Sequence, residues 1–237
     1  MTELPDWWPH KEPYAIGDCL ELMKDIPDNS VDLVLTDPPY GIGESQRNRE
    51  GNARYAFGGK SKGYTPGKKG NYYGEYDWDK ERIGHEYFKE MFRISKHQII
   101  FGGNYYADYL YPSASWIVWD KDNTGDFADC EMAWTSHKKA VRKFKWRWNG
   151  MLQEDMKNKE ERLHPTQKPT PLFKWILENY SKPGDIVLDP FLGSGTTLLA
   201  CRKTDRIGLG FEINPDYEPI IRKRMMADTP KIETWFE

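Results

Sequence analysis

Cysteine is scarce in this chain: Cys19, Cys130 and Cys201 are the three in 237 residues. Their wide, odd-numbered spacing excludes a disulfide framework and a zinc-ligand pattern, and points to structural thiols in a reducing compartment. No apolar run approaches membrane-spanning length, so no membrane partner is expected. The opening Met1-Thr2-Glu3-Leu4-Pro5-Asp6-Trp7-Trp8 lacks a basic stretch followed by an apolar one, which predicts a soluble intracellular protein. Neither charge sign dominates: 34 basic against 37 acidic residues leave a net charge of −3, which excludes a uniformly basic surface. There is no Walker loop, no complete Gly-x-Gly-x-x-Gly fingerprint and no internal repeat, so phosphate binding of those kinds is not indicated. Charged residues at 30%, aromatics at 14% and a mean hydropathy of −0.83 describe a modest core inside long polar loops.

Short apolar runs alternate with helical periodicity. Strands are predicted at Tyr14–Gly17, Asp32–Thr36, Gln98–Phe101, Ser115–Trp119, Met132–Thr135, Ile186–Asp189 and Ile207–Phe211. Helices are predicted at Arg82–Ser95, Pro171–Tyr180, Thr196–Lys203 and Pro215–Met226. Such alternation implies an α/β fold with a mostly parallel, doubly wound sheet. The length is within reach of one large domain, residues 1–237, with insertions at 41–80 and 138–163.

Two motifs carry the chemistry. Asp37-Pro38-Pro39-Tyr40 follows the apolar run Val31–Thr36, at a strand end, where open α/β sheets bind ligands. The prolines fix φ near about −65° and remove two donors, so the loop is stiff and presents acceptors suited to an amino group. Asp-Pro-Pro is equally an ordinary strand-ending turn, and Tyr40 then merely a packing residue. About 150 residues later, Val187-Leu188-Asp189-Pro190-Phe191-Leu192-Gly193-Ser194-Gly195-Thr196-Thr197 reads as strand, glycine turn and helix. It leads to a second strand ending at Glu212, placed to accept hydrogen bonds from a ribose diol. Glycines at 193 and 195 permit close backbone approach, and an adenosyl ligand without phosphates fits better than a nucleotide.

Together with Gly17-Asp18-Cys19, Phe101-Gly102-Gly103-Asn104, Trp116-Ile117-Val118-Trp119 and His164-Pro165-Thr166-Gln167-Lys168-Pro169, these motifs give the chain its family resemblance. It resembles the β group of adenine-N6 or cytosine-N4 DNA methyltransferases over almost its whole length, and through Asp129–Ser136 the small enzymes of phages and prophages. The resemblance implies a Rossmann-like S-adenosylmethionine-dependent methyltransferase fold with circularly permuted motif order, the catalytic tetrapeptide preceding the cofactor loop. It further implies a cytoplasmic enzyme of a bacterium or phage-infected host that acts on double-stranded DNA. Many such relatives dimerise, and a homodimer stays open because the sequence shows no interface signature.

On this resemblance, Asp37 and the Pro38 carbonyl would accept from an exocyclic amine, and Tyr40 would stack on a target base flipped out of the duplex. Phe191 with Gly193, Ser194, Gly195 and Thr196 would line the methionine end, Asp189 would face its ammonium, and Thr166 and Lys168 would bind its carboxylate. Glu212 would hold the ribose. Asp18 would reach the adenine amine, although Gly-Asp before a helix is also an N-cap. His164 reads as structural, and no metal site is expected.

Residues Gly41–Lys80 are rich in Gly, Tyr and Lys, with Arg47, Arg49 and five further cations against one acid, Glu50, between Gln46 and Lys69. Residues Lys138–Asn149 carry six cations, including Lys139, Arg142, Lys143, Lys145 and Arg147, with three interleaved aromatics and no acid. This suits a strand that offers phosphate contacts and stacking rings; a solvated charged face is the alternative. An Asp at the first tetrapeptide position implies adenine N6, where Ser would imply cytosine N4. Cytosine-N4 methylation of DNA, an RNA or protein-glutamine methyltransferase and a binding-only relative remain as alternatives.

Overall fold

Val31–Thr36 is apolar at four of six positions, the exceptions being Asp32 and the closing Thr36, and such a run suits a strand covered on both faces. The computed structural model, which describes residues 3–42, 81–123, 128–149, 152–164 and 166–227, makes it one of the inner strands of an eight-stranded sheet. In chain order the strands are β1 (Tyr14–Ile16), β2 (Val31–Thr36), β3 (Ser95–Phe101), β4 (Trp116–Asp120), β5 (Cys130–Thr135), β6 (Arg142–Lys145), β9 (Ile186–Asp189) and β10 (Ile207–Glu212). The spatial order is β1-β10-β9-β2-β3-β5-β4-β6, with β7 (Trp148–Asn149) and β8 (Leu152–Gln153) forming a separate pair. Only β5 runs against its neighbours, so the carboxyl ends of the other seven strands gather at one edge.

The helices are α1 (Cys19–Met23), α2 (His85–Ile94), α3 (Thr170–Tyr180), α4 (Thr196–Arg202) and α5 (Glu218–Ala227). The pleat distributes side chains between them, because successive strand residues face opposite ways. Val34, Ile100 and Leu188 enter the core under α1 and α2 with Met23, Phe88, Met91 and Ile94. Leu33, Leu35, Ile99, Phe101 and Val187 enter the other core with Leu172, Phe173, Ile176, Ala200 and Cys201 of α3 and α4. Helices on both faces of a mostly parallel sheet make the doubly wound architecture expected from the sequence.

Several boundaries differ from expectation. Helix α2 begins at His85 rather than Arg82: Gly84 is its N-cap, and Arg82 instead forms a β-bridge with Tyr40. The last helix divides into a 3₁₀ turn at Pro215–Tyr217 and α5, with the Asn214 side chain capping the turn. The insertion at 138–163 contributes β6 and the β7–β8 pair. Most of the insertion at 41–80, including Arg47 and Arg49, lies outside the described residues. Among the described residues no helix is long and apolar enough to cross a membrane.

Phe88 is fully buried and its ring meets Tyr106 at 4.8 Å and Tyr109 at 5.5 Å, under the turn that follows β3. Phe88→Ala should therefore lower unfolding free energy by about 3–5 kcal/mol, the range for truncating a buried aromatic. Urea denaturation followed by tryptophan fluorescence checks it, and a loss under 1 kcal/mol would contradict this packing.

Candidate active site

Parallel pairing sets the site. Leu33 and Val34 of β2 lie opposite Val187 and Leu188 of β9, so Asp37 and Asp189 emerge side by side at the carboxyl edge. The Thr36 hydroxyl donates to Asp189 Oδ1 at 2.7 Å, tying the two strand ends together. Asp189 Oδ1 also accepts from the Phe191 N–H at 3.1 Å, and its Oδ2 accepts from Thr197 at 2.5 Å. Burial raises this carboxyl to about 6. Asp189 lines the cavity, but its oxygens serve three internal donors and shape the glycine turn, a more structural position than facing an ammonium requires.

The turn Phe191–Gly195 bends over the end of β9, with Gly193 at φ 55° and Gly195 at φ 83°, both left-handed. Glu212, at the end of β10, closes it from the other side: Oε2 accepts the Gly193 N–H at 2.7 Å and Oε1 the Asn214 N–H at 2.8 Å. Burial pushes the Glu212 carboxyl up to about 7. Asp18 caps α1 by accepting the Leu20 N–H at 2.9 Å, so the capping role is realised, and its residue also lines the cavity. These elements enclose a cavity of about 230 Å³ whose wall includes Asp18, Asp37, Asp189, Glu212, Tyr87, Phe191 and the exposed Ile213.

The tetrapeptide Asp37–Tyr40 contributes to the wall of the same cavity, through Asp37 and Pro39. The Tyr40 hydroxyl donates to Asp37 Oδ1, and its ring stacks on Tyr105 at 4.8 Å between centroids and 15° between planes. Tyr106 donates to the Pro39 carbonyl, and no donor among the described residues reaches the Pro38 carbonyl. Gly102, at φ 66°, lies flat under the Tyr40 ring; a Cβ there would stand 2.0 Å from Tyr40 Cε1.

Lys168 departs from its expected place. Its ammonium is buried and donates to Asp37 Oδ2 at 2.5 Å, with Glu131 Oε2 at 3.0 Å, rather than standing open for a ligand carboxylate. Burial opposes its charge, but Asp37 and Glu131 outweigh burial and hold the ammonium above its ordinary range. Burial likewise pushes the Asp37 carboxyl up, against the pull of Lys168. Thr166 turns to His164: its N–H and hydroxyl lie 3.3 and 3.1 Å from Nδ1. His164 is buried against Tyr217, and burial lowers it to about 3, so the ring is neutral and packs. Ser194 and Thr196 hydrogen-bond back to Gln167 and the Lys168 carbonyl, both at 3.3 Å, latching the segment before α3 to the glycine turn.

The basic run is split by the fold. Lys139 sits at the opposite edge from Asp37: its ammonium donates to the Asn179 carbonyl near the end of α3 and lies 4.4 Å from the Tyr180 ring centroid. In this arrangement its ammonium serves the helix end, on the side of the sheet away from Asp37. Arg142 opens β6 at that same far edge, paired with Ile117. Lys143 pairs with Asp120 at 3.3 Å, while Lys145 and Arg147 both pair with Asp122 at the site edge. These acids come from residues 120–122, distant in sequence, which is why a run without acids looked unbalanced. The residues that sequence reasoning left without a role are Glu131, Lys121, Tyr105 and Tyr106. All four gain significance only from neighbours far along the chain.

The fit to a cofactor can be judged from this donor set. Four carboxylates and apolar faces at Ile213, Phe191 and Tyr87 favour a cationic ligand with an aromatic part and a diol, and disfavour phosphate. S-adenosylmethionine, with its sulfonium and ammonium, has this chemistry.

Comparison with known proteins agrees. The family described as DNA methylase (N6_N4_Mtase) matches residues 107–223. The chain is 30% identical over 259 residues to the type II methyltransferase M.HinfI of Haemophilus influenzae, covering 90% of this chain and 68% of that protein. It is 27% identical over 252 residues to the type II methyltransferase M.HpaI of Haemophilus parainfluenzae, covering 90% and 73%. The solved cytosine-N4-specific PvuII DNA methyltransferase has the same fold, with a TM-score of 0.60 at 18% identity over 91% of this chain and 86% of that one.

Gly102→Ala should abolish the Tyr40 arrangement, since the added methyl overlaps the ring and the left-handed backbone disfavours any side chain. Methyl transfer is expected to fall by at least about 10²-fold while calorimetry shows cofactor affinity little changed. Full activity in this variant would show that the Tyr40 ring need not lie on Gly102.

Proposed function

The chain belongs to the DNA methylase family, and from that membership we propose that it transfers a methyl group from S-adenosylmethionine to the N6 amine of an adenine in double-stranded DNA. The observation that carries this reading is the shared cavity: Asp37 and Pro39 form one wall of the space that Glu212 and the glycine turn form on the other. The cofactor, when bound, supplies an electrophilic methyl on its sulfonium. Glu212 would hold its ribose, Phe191 and the turn through Thr196 its methionine end, with Asp189 supporting that turn and Asp18 and Thr166 at the cavity wall.

An exocyclic adenine amine is a poor nucleophile because its lone pair is delocalised into the ring. Asp37 and the Pro38 carbonyl would accept its two hydrogens and favour a tetrahedral nitrogen, a preorganised electrostatic device that needs no protein nucleophile. Pro39 stiffens the loop. The amine is out of reach inside a duplex, so the base must leave the stack. Tyr40 would receive it, with Tyr105 moving from the face it now covers; base–aromatic stacking of about 1–3 kcal/mol offsets a similar unstacking cost. Lys145 and Arg147 at the site edge would meet phosphates. Asp at the first tetrapeptide position supports adenine over cytosine, and the motif order supports the permuted β group.

Incubation of the protein with unmethylated DNA and labelled cofactor, followed by nucleoside mass spectrometry, tests the reading. N6-methyladenine is expected, with none from Asp37→Ala although that variant still binds cofactor. N4-methylcytosine would overturn the reading of Asp37, and an active Asp37→Ala would refute the site.

Cofactor affinity should also depend on pH. Burial holds the Glu212 carboxyl at about 7, so below that pH it is protonated, loses its charge and turns one oxygen into a donor. Calorimetric affinity is expected to rise from pH 6 to pH 8, by up to about tenfold per unit for a single group. Glu212→Gln should bind weakly with a flattened slope; an unchanged slope would exclude this carboxylate as the source.

A further inference from the structure

Beside the proposed catalytic carboxylate lies an alternating row of charges that the methyl-transfer chemistry above leaves unused. Lys121 pairs with Glu131 Oε1, Glu131 Oε2 lies 3.0 Å from the Lys168 ammonium, and that ammonium lies 2.5 Å from Asp37 Oδ2. The row joins the end of the β4–β5 pair to two segments distant from it in the chain, before α3 and after β2. Glu131 belongs to β5, where Ala133 pairs with Phe101 at the end of β3, so Glu131 reaches past that end toward Asp37. Lys121 follows β4, and Lys168 precedes α3.

Lys168 is buried and the other three groups of the row are partly buried, and withdrawing such charges from water costs free energy that a hydrophobic arrangement of the same volume would often avoid. The row is therefore poorly explained as a stability device. Its end point gives another reason. With Lys168 on Oδ2 and the Tyr40 hydroxyl on Oδ1, the Asp37 carboxylate is fixed in rotation, and an amine that replaces the Tyr40 hydroxyl at Oδ1, the ring remaining as the stacking face, would meet it already oriented. We propose that Glu131 is a positioning residue for methyl transfer: it anchors Lys168, which holds Asp37 ionised and oriented as an acceptor.

The inference rests on the reading of Asp37 given above. Two opposed demands meet at this carboxylate. An unpaired buried Asp37 would protonate and lose its acceptor, whereas a full, unshared ammonium would weaken it as an acceptor. Sharing Lys168 with Glu131 satisfies both. The other groups facing Asp37 are Tyr40, Tyr106 through the Pro39 carbonyl, and Asp189 at the end of β9. None is a cation, so among the described residues Lys168 is the positive group that contacts Asp37.

The test is a carbon-13 titration of the protein labelled at aspartate carboxyls, with the Asp37 signal assigned by its loss in Asp37→Asn. Lys168→Met should move the Asp37 titration up by about 1–3 units. Adding Glu131→Gln should move it part of the way back, because the repelling carboxylate is gone. Glu131→Gln alone should lower kcat by at least about tenfold with cofactor affinity within twofold of wild type, and Glu131→Asp should recover part of the loss. An Asp37 titration unmoved by Lys168→Met, or wild-type kcat in Glu131→Gln, would overturn the proposal. If Lys168→Met fails to fold, the Glu131→Gln and Glu131→Asp pair decides alone. An Asp37→Ala variant that still methylates DNA would instead sink the functional reading itself, so the two failures are distinguishable.

Discussion

Parallel pairing of β2 with β9 is the constraint on which the site depends. Two strands separated by some 150 residues of chain are brought to adjacent positions in the sheet, and the Thr36–Asp189 hydrogen bond fixes their ends in common register. A parallel pair needs a crossover connection, and here the intervening chain supplies β3 to β6, α2 and α3 before the return to β9. Because the carboxyl ends coincide, the stiff acceptor loop after β2 and the glycine turn after β9 open into one cavity. Ligand binding at that edge follows from the topology of open α/β sheets.

Charge organises what the sheet brings together. The cavity wall is acidic, which suits a cationic cofactor, yet Asp37, partly buried in that wall, needs a partner if it is to serve as the proposed acceptor. The structure reconciles these by placing a lysine between two carboxylates, and by giving Asp189 and Glu212 backbone and hydroxyl donors instead of cations. Hydrogen bonds to neutral donors hold a carboxylate in position without cancelling the charge a cationic ligand would meet. The aromatic layer obeys a similar economy of space. Gly102 removes one side chain so that Tyr40 can lie against the backbone, and the Tyr40 ring also stacks on Tyr105.

Most of the fold was legible because apolar runs and helical periodicity are local. Ile186–Asp189 matches its predicted span, and the ends of β2, α3 and α4 fall within about one residue of expectation, inside the usual uncertainty of element boundaries. The short α1 was missed because five residues carry too little periodicity, and Arg82 was misread because its partner in the β-bridge, Tyr40, lies across the insertion. At the site, Asp37, Tyr40, Gly193 and Glu212 stood out through motifs that stay together in sequence. Lys168 was seen, but its contacts with Asp37 and Glu131 were not, and Glu131 carried no local mark at all.

The sequence by itself determined the alternation of elements, the stiff acceptor loop, the glycine turn and the acid at position 212, since each depends on the conformational limits of a few adjacent residues. Only the tertiary structure decided which charges face one another: Lys168 with Asp37 and Glu131, Arg147 and Lys145 with Asp122, Lys139 with the end of α3. Electrostatic interactions act through space and fall with distance and dielectric, so a pairing across 131 residues leaves no trace in local pattern until the sheet has closed the gap.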